Sequence, residues 1–179
     1  MHPLQEQFNK EIRPELMKEF GFTNLMQVPT IKKIVINVGI GKLKKDAKLL
    51  ESMVGDLKAI TGQHPVFTTA RKSIAGFKVR EGEKVGLTAT LRGFKMWSFL
   101  DKLINVALPR VRDFRGLSSE ALDGRGSYSM GLREQLVFPE ISSDALEHTF
   151  GIEITIVTNS GQDKPTKKML QLMRFPFKD

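Results

Sequence analysis

The chain of 179 residues contains no cysteine and no long apolar run. The absence of cysteine excludes disulfides, thiolate metal sites and thiol catalysis, and it is compatible with a reducing compartment. No apolar run approaches the roughly 20 residues that a membrane-spanning helix needs. The first residues also lack the apolar segment of a signal peptide. These absences predict a cytoplasmic protein without a membrane partner.

Residues typical of catalytic or metal sites are scarce. The three histidines, His2, His64 and His148, lie far apart in the sequence, and none stands beside an obvious carboxylate or nucleophile. The acidic residues are spread along the chain without a close pair that resembles an acid/base dyad. We therefore predict no catalytic residue, no metal site and no cofactor.

The basic residues are concentrated in the middle of the chain. Residues 29 to 115 carry 18 Lys and Arg against 7 Asp and Glu, a net charge of +11, whereas both flanks are slightly acidic. Such a concentration is typical of a surface that binds a polyanion, above all a nucleic acid. The length and the 40% of hydrophobic residues fit one compact domain, and we predict a single domain over residues 1 to 179.

Hydrophobic periodicity predicts nine secondary-structure elements. Apolar residues at helical spacing begin at Leu4 and stop before Gly21, with Pro14 opening a new turn or kinking the helix. The remaining predicted elements are a strand within 28–41, a helix over 46–61 capped by Asp46 and stopped by Gly62, strands at 65–69 and from Val85, a helix over 96–107 closed by Pro109, strands near 134–138 and 152–158, and a helix over 164–173.

This order predicts an α+β fold, a mainly antiparallel sheet with helices packed on one face and the other face open. Two strands alternate cleanly, so that one side of each is apolar and the other polar. An open polar face must contact water or a ligand, and RNA is a plausible ligand. The residues that alternation places on this face are Lys33, Asn37, Thr88, Thr90 and Arg92.

A basic stretch, ARKSIAGFKVREGEK, separates two predicted strands. Gly76 and Gly82 indicate a loop, and we expect it to project from the sheet. Phe77 is the aromatic residue that best fits a functional role, because Lys78 follows it within this basic loop.

Two rival functions follow from the same residues. Gly39, Ile40 and Gly41 resemble the start of a dinucleotide-binding turn, but Lys44 takes the place of the third glycine, and a phosphate-binding loop fails at Ile36 and Leu43. A nucleotide-dependent enzyme built on this turn is the first rival, although a tight turn explains the glycines fully. An RNA chaperone or nuclease accessory without sequence preference is the second.

Four segments closely resemble the bacterial form of large-subunit ribosomal protein five, the 5S rRNA-binding family. They are VPTIKKIVINVGIG at 28–41, LKAITGQHPVFTTARKSIAGFKVREG at 57–82, TLRGFKMWSFLDKLINVALPRVRDFRGLS at 90–118 and DGRGSYSMGLREQLVFPEI at 123–141, followed by FPFK at 175–178. The resemblance implies a structural protein that joins 5S rRNA to large-subunit rRNA in the central protuberance, among the other proteins of that region.

The resemblance also implies particular contacts. The Asn, Gln and Thr that the family places against RNA match Asn37, Gln63 and Thr90. The family usually reads close to KVTLRG after the glycine at position 86, so Thr88 comes from alternation and not from the resemblance. Together the predicted 5S rRNA contacts are Asn37, Gln63, Thr90, Lys33, Thr88 and Arg92.

Two further sites rest on the resemblance. The family's basic loop approaches the transfer RNA in the peptidyl site, which gives as predicted contacts Arg71, Lys72, Ser73, Phe77, Lys78 and Arg80. Another region faces a head protein of the small subunit across an intersubunit bridge, which gives Arg110, Arg112, Asp113, Arg115, Arg133 and Glu134. Beyond Ile141 the match is loose, so the resemblance implies little about C-terminal contacts.

Overall fold

A computed structural model describes residues 2–41, 46–141 and 148–178. Five antiparallel strands form one sheet in the order β2-β3-β1-β5-β4. The strands are β1 (Ile31–Gly39), β2 (Val66–Thr69), β3 (Lys84–Leu91), β4 (Tyr128–Leu132) and β5 (Ile152–Thr158). The helices are α1 (Pro3–Gln7), α2 (Arg13–Phe20), α3 (Ala47–Thr61), α4 (Gly93–Lys102) and α5 (Asp163–Leu172).

Alternation along each strand separates a covered face from an open one. In the central strand β1, Ile34, Ile36 and Val38 are buried, while Asn37 between them is exposed. The registers place other apolar side chains beside them, and the covered face packs against the helices in one core. The predicted α+β fold with helices on one face of an antiparallel sheet is therefore confirmed.

The N-terminal helical region changes from α-helical to π-helical geometry just before Pro14. A π-helical turn, Phe8–Ile12, joins α1 to α2 and buries Phe8 and Ile12. Since proline cannot donate a backbone hydrogen bond, a local change of helical pitch before it is expected. Leu16 of α2 is fully buried, and Met17 packs partly buried against the same core. Gly21, where the helix was predicted to stop, ends α2 in the left-handed conformation.

The other helices begin and end close to their predicted bounds. The Asp46 carboxylate accepts hydrogen bonds from the backbone N–H groups of Lys48 and Leu49, and Gly62 ends α3. A second π-helical turn, Leu103–Ala107, and a 3₁₀ turn, Leu108–Arg110, extend α4 toward the groove described below. Within the described residues, no helix combines the length and apolar character needed to cross a bilayer.

The predicted order of elements is confirmed, but one strand was placed wrongly. Residues 134–138 do not form a strand; they contain the 3₁₀ turn Gln135–Val137. The strand is β4, earlier in the chain, where Tyr128, Met130 and Leu132 point into the core. The Gln135 side chain is fully buried, accepting from the Phe150 backbone N–H and donating to the His148 carbonyl. The turn Gln135–Val137 therefore has apolar surroundings like those of a strand, but the Gln135 side chain, and not backbone pairing, links it to the neighbouring segment.

Candidate nucleic-acid interface

The open face carries two rows of small, mostly uncharged residues that run across the strands. One row crosses all five strands and consists, in strand order, of Val66, Thr88, Asn37, Glu153 and Gly131. The second row consists of Thr90, Val35, Thr155 and Ser129. Because no helix among the described residues covers this face, the rows form a shallow polar platform.

Asn37 lies at the centre of the first row. Its Nδ2 donates to Glu153 Oε2 over 3.3 Å, and both residues are exposed. Its Oδ1 lies on the side of Gly86, where an added Cβ would be 2.6 Å from Thr68 Oγ1 and 3.1 Å from the Val38 carbonyl oxygen. Because Gly86 has no side chain, the open face beside Asn37 is left unoccupied.

Thr88 and Thr90 both belong to the open face, as alternation predicted, but their surroundings differ. The Thr88 hydroxyl donates to the Ile36 carbonyl over 3.1 Å, so its proton is engaged by the backbone. The Thr90 carbonyl accepts from Gln63 Nε2 over 3.3 Å. Gln63, which follows α3 and does not belong to any strand, thus extends the polar platform at the β3 side.

The turn that carries Gln63 is fixed from several sides. The Thr61 hydroxyl donates to the Leu57 carbonyl and accepts from the Gln63 backbone N–H. Two lysines of α4 cap the carbonyl end of α3: Lys102 Nζ donates to the Ile60 carbonyl and Lys95 Nζ to the Gly62 carbonyl, each over 2.7 Å. Cations at this end of a helix also interact favourably with its dipole.

Cations border the platform at one end. By alternation Lys33 and Arg92 both belong to the open face; Lys33 is half-buried and Arg92 is exposed. Within the described residues neither forms an ion pair. These two cations can therefore contact phosphates while the uncharged rows contact sugars and bases.

The basic loop connects the edge strand β2 to β3 and is exposed from Arg71 to Lys78. Its base is closed by the Ala70 N–H to the Glu83 carbonyl and the Gly82 N–H to the Ala70 carbonyl, each over 2.9 Å. Further out it has one isolated bridge, between Ile74 and Val79, in place of a regular ladder.

The tip of this loop exposes apolar surface among its charges. Phe77 is 78% exposed and Ile74 is 50% exposed. Lys78 adopts a left-handed conformation with φ of 50°. The Ser73 hydroxyl accepts from the Glu81 backbone N–H over 2.9 Å, which gives Ser73 a structural role in the loop. Exposed aromatic and basic side chains together are typical of RNA-contacting loops.

The six residues predicted for an intersubunit bridge lie around one groove. This groove has a volume of about 880 Å³ and lies between the 110–117 segment and the end of β4 with the residues that follow it. Its apolar lining includes Val111, Phe114, Leu117 and Val137. The charged residues along it are Arg110, Arg112, Asp113, Arg115, Arg133 and Glu134. None of the four guanidinium groups forms an ion pair with another described residue.

The 110–117 wall of the groove is held from behind by the C-terminal residues. The Leu117 backbone donates to the Pro176 carbonyl and accepts from the Lys178 N–H, each over 2.8 Å. Gly116 has φ of 92°, and an added Cβ would lie 2.9 Å from the Lys178 backbone, so this close approach requires glycine. The buried Tyr128 hydroxyl donates to the Ser118 carbonyl over 2.9 Å, and burial raises the pKa of Tyr128 to about 12.

His2 has a carboxylate neighbour that the sequence did not indicate. The prediction that no histidine stands beside a carboxylate is wrong for His2, because chain folding brings its Nε2 within 3.9 Å of Asp101 Oδ2. His2 Nδ1 also accepts from the Leu4 backbone N–H, and its ring contacts Phe94, so the residue fastens α1 to α4.

The residues that follow Gly41 in the dinucleotide-turn alternative, 42–45, lie outside the described residues.

Three polar residues of the open face were not predicted. Glu153 is hydrogen-bonded to Asn37, and the hydroxyls of Ser129 and Thr155 lie 2.9 Å apart in the second row. The alternation of IEITIVT in β5 gives the signal for Glu153 and Thr155, since isoleucines occupy the opposite face. For Ser129 the pattern was hidden by surrounding glycine and serine residues.

Comparison with known proteins shows similarity over almost the whole chain. The family described as ribosomal protein L5 matches residues 24–80, and the family described as the C-terminus of the same ribosomal protein matches residues 84–177. Large ribosomal subunit protein uL5 of Idiomarina loihiensis is 51% identical, with 99% of each chain covered. The same protein of Geotalea daltonii is 51% identical over the full length of both chains, and that of Carboxydothermus hydrogenoformans is 50% identical over 99% of each.

Proposed function

Because this chain belongs to the ribosomal L5 family of large-subunit proteins, we propose that it binds 5S rRNA through its open sheet face. Family membership itself makes the chain an rRNA-binding structural constituent of the large ribosomal subunit and not an enzyme. The proposal adds the RNA species, the face used and the attachment of 5S rRNA to large-subunit rRNA in the central protuberance, beside the other proteins there.

The observation that carries the proposal is the uncovered polar platform around Asn37. Asn37, Thr90 and Gln63 lie on or beside two rows of small side chains, so an unpaired stretch of RNA can lie flat against them. Amide and hydroxyl groups at such positions exchange hydrogen bonds with ribose hydroxyls and base edges, which gives recognition without catalysis. Lys33 and Arg92 would fix the register by contacting phosphates, and Thr88 would contribute the lone pairs of its hydroxyl.

A second contact is proposed for the basic loop. Arg71, Lys72, Lys78 and Arg80 place four positive charges within ten residues, beside the exposed Phe77. An exposed loop with a narrow base is well placed to contact a ligand that arrives and leaves, and we assign it to the transfer RNA in the peptidyl site. Ser73 would support this contact through the loop conformation.

A third contact is proposed for the groove, where the ligand would be a protein of the small-subunit head. The groove combines an apolar lining with four arginines and two acidic residues at its rim. Arginine-rich, partly apolar surfaces are typical of protein interfaces, and a polyanionic ligand would be opposed by Asp113 and Glu134. The groove therefore fits a protein partner better than it fits RNA.

Direct footprinting tests the main proposal. The purified chain is bound to 5S rRNA, and nucleotide protection is measured with and without excess bulk transfer RNA as competitor. We expect a discrete protected region that survives the competitor. Protection that is diffuse, or that transfer RNA removes at equal concentration, would favour the alternative of an RNA chaperone without sequence preference.

A further inference from the structure

Glu153 is the only charged residue in the row that crosses all five strands. Its neighbours in that row, Asn37 and Gly131, are uncharged, and the side chain is exposed. An acidic side chain in the middle of a surface that binds a polyanion is unfavourable unless it serves recognition. The position of Glu153 beside Asn37 therefore needs an explanation.

The hydrogen bond between the two residues determines how the Asn37 amide is oriented. A carboxylate only accepts hydrogen bonds, so the group facing Glu153 Oε2 must be the amide nitrogen Nδ2. The carbonyl oxygen Oδ1 then points to the other side, near Gly86. It accepts no hydrogen bond from any described residue. Asn37 thus presents its carbonyl oxygen as an acceptor on the Gly86 side, while one of the two Nδ2 hydrogens is engaged by Glu153.

We propose that Glu153 is a positioning residue that makes the open face selective for hydrogen-bond donors of RNA over phosphate oxygens. This inference rests on the proposed function of the face. Ribose 2′-hydroxyls and base amino groups can donate to a fixed Asn37 Oδ1, whereas a phosphate has no donor and is repelled by the neighbouring carboxylate.

The arrangement of charge along β1 supports this separation of RNA hydrogen-bond donors from phosphates. Lys33 lies four residues before Asn37 in the strand, which separates the cation from the carboxylate by about 13 Å along the strand. The RNA backbone is therefore attracted to the Lys33 end, and it is kept away from the row that contains Glu153. Sugars and bases, not phosphates, then lie over Asn37.

The test compares two variants at position 153 that separate charge from positioning. Glu153→Gln removes the charge but keeps a carbonyl oxygen that can accept from Asn37 Nδ2. Glu153→Ala removes both. The matched control is Glu51→Gln, which removes the same charge from an exposed site on α3. Affinities of the full-length chain for 5S rRNA and for bulk transfer RNA are measured at one salt concentration.

Both variants should raise affinity for transfer RNA by roughly threefold or more, because a repelling charge has been removed. Only Glu153→Ala should weaken 5S rRNA binding, by roughly threefold, and it should cause no further loss in a chain that already carries Asn37→Ala. Glu51→Gln should affect both RNAs equally.

Several outcomes would overturn the inference. If Glu153→Gln changes both affinities by the same factor as Glu51→Gln, the carboxylate acts only through net charge. Unchanged 5S rRNA binding in Glu153→Ala would remove the positioning role. A wild-type chain that binds 5S rRNA no better than transfer RNA would overturn the proposed function itself, and this inference with it.

Discussion

For single residues, alternation within a strand predicted which side chains lie on the open face. The pattern of β1 and β3 placed Asn37 and Thr90 on the uncovered side, and the fold confirms their positions. Alternation within one strand cannot show which strand lies beside it. The contact of Asn37 with Glu153 joins residues 116 positions apart and depends on the strand order, so it was not predicted.

The three polar residues matched to the family can be tested one at a time. We expect Asn37→Ala, Gln63→Ala and Thr90→Ala each to weaken 5S rRNA binding by ~1 to 3 kcal/mol, because a polar group of the RNA would be left without a partner. The matched control is Asn105→Ala, which removes an exposed amide from the π-helical turn after α4. Normal binding by all three variants, or unfolding seen by circular dichroism, would contradict the assignment.

Tyr128 makes a prediction for alkaline pH. Its pKa rises from 10.0 to about 12 because burial disfavours the phenolate. Between these values the folded chain keeps a proton that the unfolded chain has lost. The stabilisation that comes from this raised pKa should therefore be fully present below pH 10. As the pH rises to about 12, the free energy of unfolding should fall by on the order of 2 kcal/mol.

This effect can be isolated because Tyr128 is the only tyrosine in the sequence. Phenolate absorbance then reports this residue alone, and urea unfolding at several pH values gives the stability. Tyr128→Phe should show a shallower alkaline decline, although it loses the bond to the Ser118 carbonyl. Equal declines in both chains would assign the effect to lysines.

For helices and strands, the order along the chain was easier to predict than the exact residues that each element contains. Caps and stops such as Asp46 and Gly62 act locally, so the bounds of α3 were clear from the sequence. β4 was missed because Gly and Ser residues around Tyr128, Met130 and Leu132 resemble a loop, and because its pairing with β5 is distant in sequence. Only the resemblance placed residues of 110–117 and 131–137 in one site; the groove between them was not predicted, because it joins segments that are separate in sequence.

The basic loop should separate two functions of the chain. Changing Arg71, Lys72, Lys78 and Arg80 together to Ser should alter 5S rRNA affinity by less than about 1 kcal/mol, because the loop lies outside the platform. On reconstituted ribosomes, transfer RNA should leave the peptidyl site faster. Loss of 5S rRNA binding with unchanged transfer RNA retention would reverse the assignment.

The groove should matter for subunit association. Replacing Arg112 and Arg133, one from each wall, by Ala should weaken association of reconstituted subunits by roughly threefold to tenfold, measured by light scattering. The control removes two exposed cations elsewhere, Arg125 and Lys164. If both pairs have the same effect, the groove is not the contact.

At the scale of the whole molecule, the positive charge of the middle segment is divided among separate surfaces. Part of it borders the platform, part lies in the basic loop and part lines the groove. Lys95 and Lys102 are bound to the backbone carbonyls of Gly62 and Ile60 at the end of α3 and contribute less to RNA binding. The net charge of +11 therefore overstates the number of phosphates that any one RNA meets.

This division can be measured through the salt dependence of binding. If 5S rRNA meets about five phosphates, log K should fall against log salt with a slope of roughly −3.5, at about 0.7 per contact. The chain with the four loop substitutions should show nearly the same slope. A slope near zero in the wild-type chain would contradict electrostatic positioning.

The sheet also bears on domain organisation. β1 and β2 come from the segment matched by one family description, and β3, β4 and β5 from the segment matched by the other, yet β1 lies between β3 and β5. Neither segment can complete the sheet alone. We therefore propose that residues 1–179 form one domain, which would unfold in a single cooperative transition.

The strand order has a consequence for synthesis of the chain. During translation β5 is made more than 110 residues after its neighbour β1, so a nascent chain exposes one edge of its central strand until β5 appears. Pairing over such a separation is also slow. Until β5 has left the exit tunnel, Asn37 has no Glu153 beside it. The emerging polypeptide should therefore acquire selectivity for its RNA only after β5 has joined the sheet.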